Sequence, residues 1–444
     1  MRGGSVNRIA REVVLGTESD VELLPLVTSF VEKAALCFGL DRELAMELTL
    51  ATEEIFIYLC RAVLPGAEPL EVRCTSGLYY VQTDFSFSAE VLDVRAFNLT
   101  TAISLDDESE LEEMGLVLAS RMVDRFQLSR EQGRQVRLSL IKEKSYPAQE
   151  GDPTGVCRAL DTFSIRPPNP EEVKLVAQRA RGWYGGQYLA GFFQYPGKLV
   201  DMIESGEYRA VVAVGPAGEI GGATLWHWVG RQTVECFGPY IFGNAEESAI
   251  PEALIEACIG AIARTQAVGL VNTRPTPQLP EHHFERLGVL AMTAEDGSVM
   301  ALQTWFRLMR EDTGCAIWAH DTIRDFVEGE CRRMVLPREI RSIQSAGERL
   351  PDHSVIAAAF DRLQHRVTLR PMWPGADVDA NIEKHVQLVR REAVPNVFFM
   401  MDLGQAWQAD FAPPLIRHGF TPCCLLPYAG ESDVVLFQLS EAHS

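Results

Sequence analysis

The 444-residue chain has no apolar stretch approaching the roughly 18 residues that a membrane span needs. The opening Met-Arg-Gly-Gly-Ser-Val-Asn-Arg leads into no apolar signal core. The expectation is a cytoplasmic protein with no membrane role. Basic residues are outnumbered, 41 Lys and Arg against 61 Asp and Glu, for a formal net charge of −20. A surface of that sign repels nucleic acid, so no nucleic-acid partner is expected. None of the ten cysteines forms a CxxC pair. A chain this long needs no covalent staples, so the thiols read as reduced and mostly buried. Of the nine histidines only His282 and His283 are adjacent, with no cysteine or carboxylate at a familiar zinc spacing, so no metal site is expected. No Gly-x-Ser-x-Gly elbow or Walker loop is present, and the pairs Gly185-Gly186 and Gly221-Gly222 lack a phosphate-loop context.

What is there suits a soluble, multidomain protein. Hydrophobic content of 47% and charged content of 23% allow well-filled cores. The length suggests about three domains. A segment rich in Pro and Gly, Ser145 to Val156, reads as a linker. It separates a first domain, 1–144, from two others, 161–310 and 311–444, with the linker spanning 145–160.

In the first region Leu44, Leu48, Ala51, Ile55 and Leu59 form one apolar stripe on a helix of about twenty residues. A helix over Asp20 to Cys37 precedes it. Leu70 to Cys74 and Leu78 to Phe87 read as a hairpin, and a later helix runs from Ser109 to Arg125. Helices on one face of a mostly antiparallel sheet are expected. The run Glu47 to Val63 resembles the nucleotide-binding helix of the GHKL ATPase class, closest to its anti-sigma-factor serine kinase branch. The resemblance implies that Glu54 polarises the attacking group. It also implies that the residue one turn on, here Tyr58 in place of asparagine, would hold magnesium. A phenol is a poor ligand for that ion. Asp84, in Asp84-Phe85-Ser86-Phe87-Ser88, stands where the class reads adenine, with serines in place of glycines. Gly115, in Met114-Gly115-Leu116, opens the helix that lies under the phosphates. The resemblance thus implies ATP with magnesium as cofactor and a sigma-factor or anti-anti-sigma protein as partner, in a site that has lost ligands.

The second region reads strand, helix, hairpin, long strand, helix, strand, short helix at Pro280 to Leu287, and strand. That order, with Phe163-Ser164-Ile165-Arg166-Pro167 at its start and Phe284-Glu285-Arg286-Leu287-Gly288-Val289 near its end, resembles the GNAT acyltransferase fold. The third region echoes the later part, with Leu415-Ile416-Arg417-His418-Gly419-Phe420 opposite the second of those phrases. The resemblance implies an acetyl-CoA or CoA site in the turn after the long strand, at Gly243, Asn244 and Ala245. That turn has two glutamates and no basic residue. Its third-region counterpart is Trp373-Pro374-Gly375-Ala376-Asp377. Glu235 is the candidate general base and Tyr240 the candidate general acid.

The expected architecture is α+β to α/β, a GHKL-like α/β sandwich followed by tandem GNAT-like mixed-sheet domains. The function read from it is regulation through a protein partner or small-molecule ligand, with both cofactor sites degenerate. The alternatives are an acyl-CoA-dependent N-acyltransferase and an ATP-dependent anti-sigma-type serine kinase.

Overall fold

A computed structural model describes residues 11–62, 69–88, 95–100, 108–130, 135–148, 160–243, 249–294, 296–343 and 350–440. The chain folds as two compact units. Unit one comprises 1–146, 349–357 and 371–381, and unit two comprises 147–348, 358–370 and 382–444. The first unit therefore takes in more than the expected 1–144.

Along the chain the first unit holds β1 (Glu12–Thr17), α1 (Leu24–Cys37), α2 (Arg42–Ala62), β2 (Leu70–Ser76), β3 (Tyr80–Ser88), α3 (Glu108–Met122), β4 (Arg125–Arg130) and β5 (Gln135–Glu143). The sheet order is β1-β2-β3-β5-β4 and every pairing is antiparallel. Asp41 starts α2 by accepting from Leu44 N at 2.9 Å. The predicted stripe, Leu48, Ala51, Ile55 and Leu59, is fully buried against Val72, Val81, Phe85, Phe87 and Leu138. Each such side chain contributes about 1.5–3 kcal/mol by leaving water. The expected helix over 109–125 stops at Met122 because Arg125 already pairs with Ile141 in the sheet.

The later segments are stitched into this unit by buried polar groups. Asn98 donates to Ser354 O at 2.7 Å and accepts from Ile356 N at 2.9 Å and from Asn381 Nδ2 at 3.0 Å. Val355 and Trp373 join the hydrophobic core. Asn98→Ala strands the Ile356 amide in a buried setting. It is expected to cost about 2–3 kcal/mol in a denaturant titration, whereas an isolated surface amide would cost almost nothing.

Unit two continues with β6 (Ser164–Arg166), α4 (Pro170–Trp183), α5 (Pro196–Glu204), β7 (Tyr208–Val214), β8 (Ile220–Trp228), β9 (Thr233–Ile241), α6 (Ile250–Ile262), β10 (Gly269–Asn272), β11 (Glu285–Thr293) and β12 (Val299–Leu308). They form a seven-stranded sheet in the order β11-β12-β10-β9-β8-β7-β6. Only β9 and β10 are parallel, as a crossover through α6 requires. Alternation along β7 sends Val212 and Val214 to the face covered by α4 and α5. It sends Val211 and Ala213 to the face covered by α6.

One sequence expectation fails here. The helix over Pro280 to Leu287 is a single 3-10 turn, Glu281–His283, and Glu285 already begins β11. Gly288 closes no helix. It sits in a strand, beside a bulge, where a Cβ would meet the Cys423 carbonyl, so it permits close backbone approach. Gly419, its supposed echo, does end a helix, with φ +92°.

The remaining elements are β13 (Cys315–Ala319), α7 (Asp321–Arg333), β14 (Arg338–Ser342), β15 (Val355–Asp361), β16 (Arg366–Trp373), α8 (Val378–Arg391), β17 (Asn396–Asp402), α9 (Ala412–Arg417), β18 (Phe420–Leu426) and β19 (Val434–Leu439). The parallel pair β13 and β14 with α7 between them had no counterpart in the sequence reading. The last sheet runs β15-β16-β17-β19-β18, with β16 and β17 parallel. That is strand for strand the order of β8-β9-β10-β12-β11, with α8 in the place of α6. Among the described residues no helix is long and apolar enough to cross a membrane.

Candidate functional site

The polar groups of unit two converge on the middle of β9. Glu235 pairs across the sheet with His227 of β8 and beside Val271 of β10. Its carboxylate accepts from Thr273 Oγ1, lies 3.4 Å from His227 Nε2, and is 3.7 Å from Arg274 Nη1. The side chain is 13% exposed. Burial, the strongest single influence, pushes its pKa up. The His227 hydrogen bond, the Arg274 charge and the Thr273 hydroxyl together outweigh burial and hold it at about 2. His227 lies in a cluster of near-parallel rings, 4.5 Å from Tyr208 and 5.4 Å from Phe237, which are 6.3 Å from each other.

A second wall comes from the β15–β16 hairpin. Its turn is fixed on unit two by Asp361 Oδ2 accepting from Gly191 N at 3.3 Å and by Gln364 Nε2 donating to Gln187 O at 3.1 Å. Strand alternation then puts Arg366, Thr368 and Arg370 on one face, with Val367 and Leu369 on the other. Arg366 is only 9% exposed. Its Nε donates to Thr368 Oγ1 at 3.2 Å and its guanidinium lies 4.3 Å over the Phe398 ring. Among the described residues no hydrogen bond or ion pair reaches its terminal nitrogens. Burial and then the Arg274 charge pull its pKa down to about 9, against Glu235 and Asp361. Arg370 is exposed and donates from Nη2 to Met400 Sδ at 3.1 Å, and the surrounding protein lowers its pKa as well. Arg366 thus feels the charges of two further guanidiniums, Arg274 and Arg370, and of two carboxylates, Glu235 and Asp361, in a protein whose net charge is −20.

A carboxylate with a pKa near 2 is a weak proton acceptor at neutral pH, so Glu235 acts here as a charge partner. Tyr240 is fully buried, donates to Tyr188 O at 2.9 Å, and packs against Tyr184 and Phe193. Burial pushes its pKa far up, so it holds its proton and is structural.

The parallel contact of β9 with β10 covers only Thr233 to Glu235. Beyond it the freed edge of β9 could pair with an extended amide-bearing ligand, as strand edges do. Side chains already occupy that edge. Asn272 Nδ2 donates to Gly238 O at 2.9 Å and Thr276 Oγ1 to Pro239 O at 2.7 Å. Pro239 has no N–H to offer. The Tyr184 phenol accepts from Ile241 N at 2.7 Å and lies 3.2 Å from Ile241 O and 3.0 Å from Gln278 Oε1. Gly243 follows at φ +107°, and Asn244 and Ala245 lie outside the described residues. In the counterpart turn, within unit one, a Cβ on Gly375 would meet the backbone of His353 and Ser354. Asp377 there accepts from Ser354 N at 2.6 Å. Protein backbone, not ligand, fills that turn.

In unit one, Glu54 and Tyr58 lie one turn apart on α2, and Glu54 packs against Gly115 of α3, where a Cβ would strike its carboxylate. Burial, with the Glu53 charge behind it, raises the Glu54 pKa. Asp84 does not join them. Val81, Phe85 and Phe87 point into the helix-covered core. By pleat alternation Asp84 points to the other face, where it accepts from Ser139 Oγ at 2.5 Å and Gln82 Nε2 at 2.8 Å. By strand parity Asp84 thus lies on the sheet face opposite the one that Glu54 and Gly115 cover.

His227, Thr273, Arg274, Arg366 and Arg370 were not singled out from sequence. The one readable signal was the alternation Arg366-Val-Thr-Leu-Arg370, which marks a strand with one polar face.

No protein-family model matches the chain, and no curated protein matches it. Solved structures do resemble part of it. A GNAT-superfamily phosphinothricin acetyltransferase from Sinorhizobium meliloti, in complex with AcCoA, is 18% identical over 34% of this chain and 91% of its own, with a TM-score of 0.29. An N-acetyltransferase from Staphylococcus aureus Mu50 is 13% identical over 34% of this chain and 100% of its own, with a TM-score of 0.29. Aminoglycoside 6′-acetyltransferase type Ii is 13% identical over 33% of this chain and 98% of its own, with a TM-score of 0.25. At these values the likeness decides no activity, and the residues of the cleft carry the reading that follows.

Proposed function

We propose that unit two binds a small anionic molecule, bearing a carboxylate or phosphate, between Arg274, Arg366 and Arg370. In this reading the protein is regulatory and senses its ligand without transferring an acyl group. The supporting observation is Arg366. A guanidinium nine-tenths buried with bare terminal nitrogens is costly unless an anion completes it. Its planar fork matches a carboxylate or phosphate through two parallel hydrogen bonds. Glu235, ionised and beside His227, would select a ligand that also carries a cationic or hydroxyl group. The protein partner of sigma-factor or anti-anti-sigma type, implied by the resemblance of the first region, would read the bound state. Nucleotide turnover in unit one has no part in this reading, because Asp84 stands apart from Glu54 and Gly115.

A second reading, an acyl-CoA-dependent N-acyltransferase, is favoured by the element order of the seven-stranded sheet and its single parallel pair β9–β10. It requires Tyr184, Asn272 and Thr276 to release the β9 edge. Thermal-shift titrations with inorganic phosphate, citrate and acetyl-CoA separate the two. A ligand at about 100 times its dissociation constant stabilises the native state by roughly 2.7 kcal/mol. Stabilisation by phosphate or citrate, absent in Arg366→Met, is the expected result. Stabilisation by acetyl-CoA alone, retained in Arg366→Met, would transfer the assignment to the second reading.

A further inference from the structure

The turn that replaces the expected helix at Pro280 brings three metal-binding side chains together on the α6 side of the sheet. Glu252 lies in the first turn of α6, thirty residues before His282. Its Oε1 is 2.5 Å from His283 Nε2 and 3.2 Å from His282 Nε2, and the two imidazole centroids are 4.3 Å apart. One donor atom from each residue lies within 4.8 Å of the other two. We propose that Glu252, His282 and His283 form a binding site for a divalent transition-metal ion of the zinc class.

The donor set is chemically apt. Two neutral imidazoles and one carboxylate suit zinc, nickel or copper and leave further positions for water. Zinc takes such atoms at about 2.0–2.2 Å, which requires donors a little over 3 Å apart; the 3.2 Å between Glu252 Oε1 and His282 Nε2 matches, and His283 Nε2, at 2.5 Å, must draw back to admit the ion. The ligands are also held before any ion arrives. Ile250 and Leu254 of α6 and Leu279 and Phe284 of the turn are buried in one core, so both ligand-bearing segments are anchored to the same body. The His283 carbonyl accepts from Arg307 Nη1 at 2.7 Å, which fixes the backbone of the turn. His283 is 17% exposed and supplies the rigid donor, while His282, at 67%, is free to close on an ion from solvent. Two imidazoles aimed at one carboxylate oxygen compete for it, and a cation at their centre gives each donor its own bond. This site is separate from the arginine cleft and does not rest on the ligand proposed there.

The experiment is a titration of the full chain with cobalt(II), followed by visible absorption and calorimetry. The expected result is one equivalent bound with ligand-field bands and no thiolate charge-transfer band. The thiolate band matters because nine cysteines among the described residues are free. Binding should vanish in the His282→Ala, His283→Ala double variant and weaken at least about tenfold in Glu252→Gln. Glu252→Gln keeps a hydrogen-bonding partner for both histidines, so its loss of affinity reports the lost charge and not a lost fold. No binding at millimolar cobalt, a thiolate band, or equal affinity in wild type and the double variant would overturn the proposal. In that case Glu252 and the histidines form a hydrogen-bonded surface cluster and nothing more.

Discussion

Glu235→Ala is expected to destabilise unit two by about 3–5 kcal/mol at pH 7, the cost of removing one partner from a buried ion pair. Three consequences combine. Arg274 loses its carboxylate, Arg366 and Arg370 lose the charge that offsets their mutual repulsion, and the Thr273 hydroxyl loses its acceptor. Glu235→Gln keeps a hydrogen-bonding shape and should lose less. The pH dependence has a definite sign. The folded pKa, about 2, lies below the ordinary glutamate value near 4.3. The contribution is therefore complete above about pH 4.3 and is lost as pH falls through about 2. Calorimetric scans of wild type and Glu235→Ala from pH 7 to 2 should converge at the acid end. A loss below about 1 kcal/mol at pH 7, or a difference that does not shrink in acid, would refute this account of the site.

Arg366→Met is expected to move stability and binding in opposite directions. The free protein should gain about 1–2 kcal/mol, because a buried charge with bare terminal nitrogens gives way to an apolar side chain over Phe398. Affinity for the anion should fall by about 100-fold, a loss of roughly 2.7 kcal/mol. A purely structural arginine gives the reverse pattern, lower stability with unchanged phosphate or citrate binding. Denaturant midpoints and isothermal titration on one preparation distinguish the two outcomes.

Much of the scaffold was legible from local pattern. The stripe Leu48 to Leu59 predicts both the α2 helix and its buried face, because helix periodicity and burial are properties of neighbouring residues. The hairpins at Ser76-Gly77 and Pro216-Ala217-Gly218 follow from turn chemistry in the same way, with Gly218 at φ +88°. Pro280 to Leu287 misled for a physical reason. Its residues are mostly polar, with Phe284 and Leu287 the large apolar ones, and pairing of β11 along the length of β12 outweighs one turn of helix. Asp84 matches the resemblance in its order along the chain, while strand parity turns its side chain to the face away from the helices.

By itself the sequence determined that this is a multidomain α+β chain with an acidic surface. It also determined most helices and strands and the absence of a basic phosphate turn after β9. The tertiary structure decided where the chemistry sits. Glu235 and Arg366 are 131 positions apart and Glu252 and His282 are thirty apart, and no local periodicity links such pairs. Long-range sheet packing brings each pair together, and burial then fixes its charge state. Shape and electrostatics depend on neighbours in space, whereas propensity depends on neighbours in sequence.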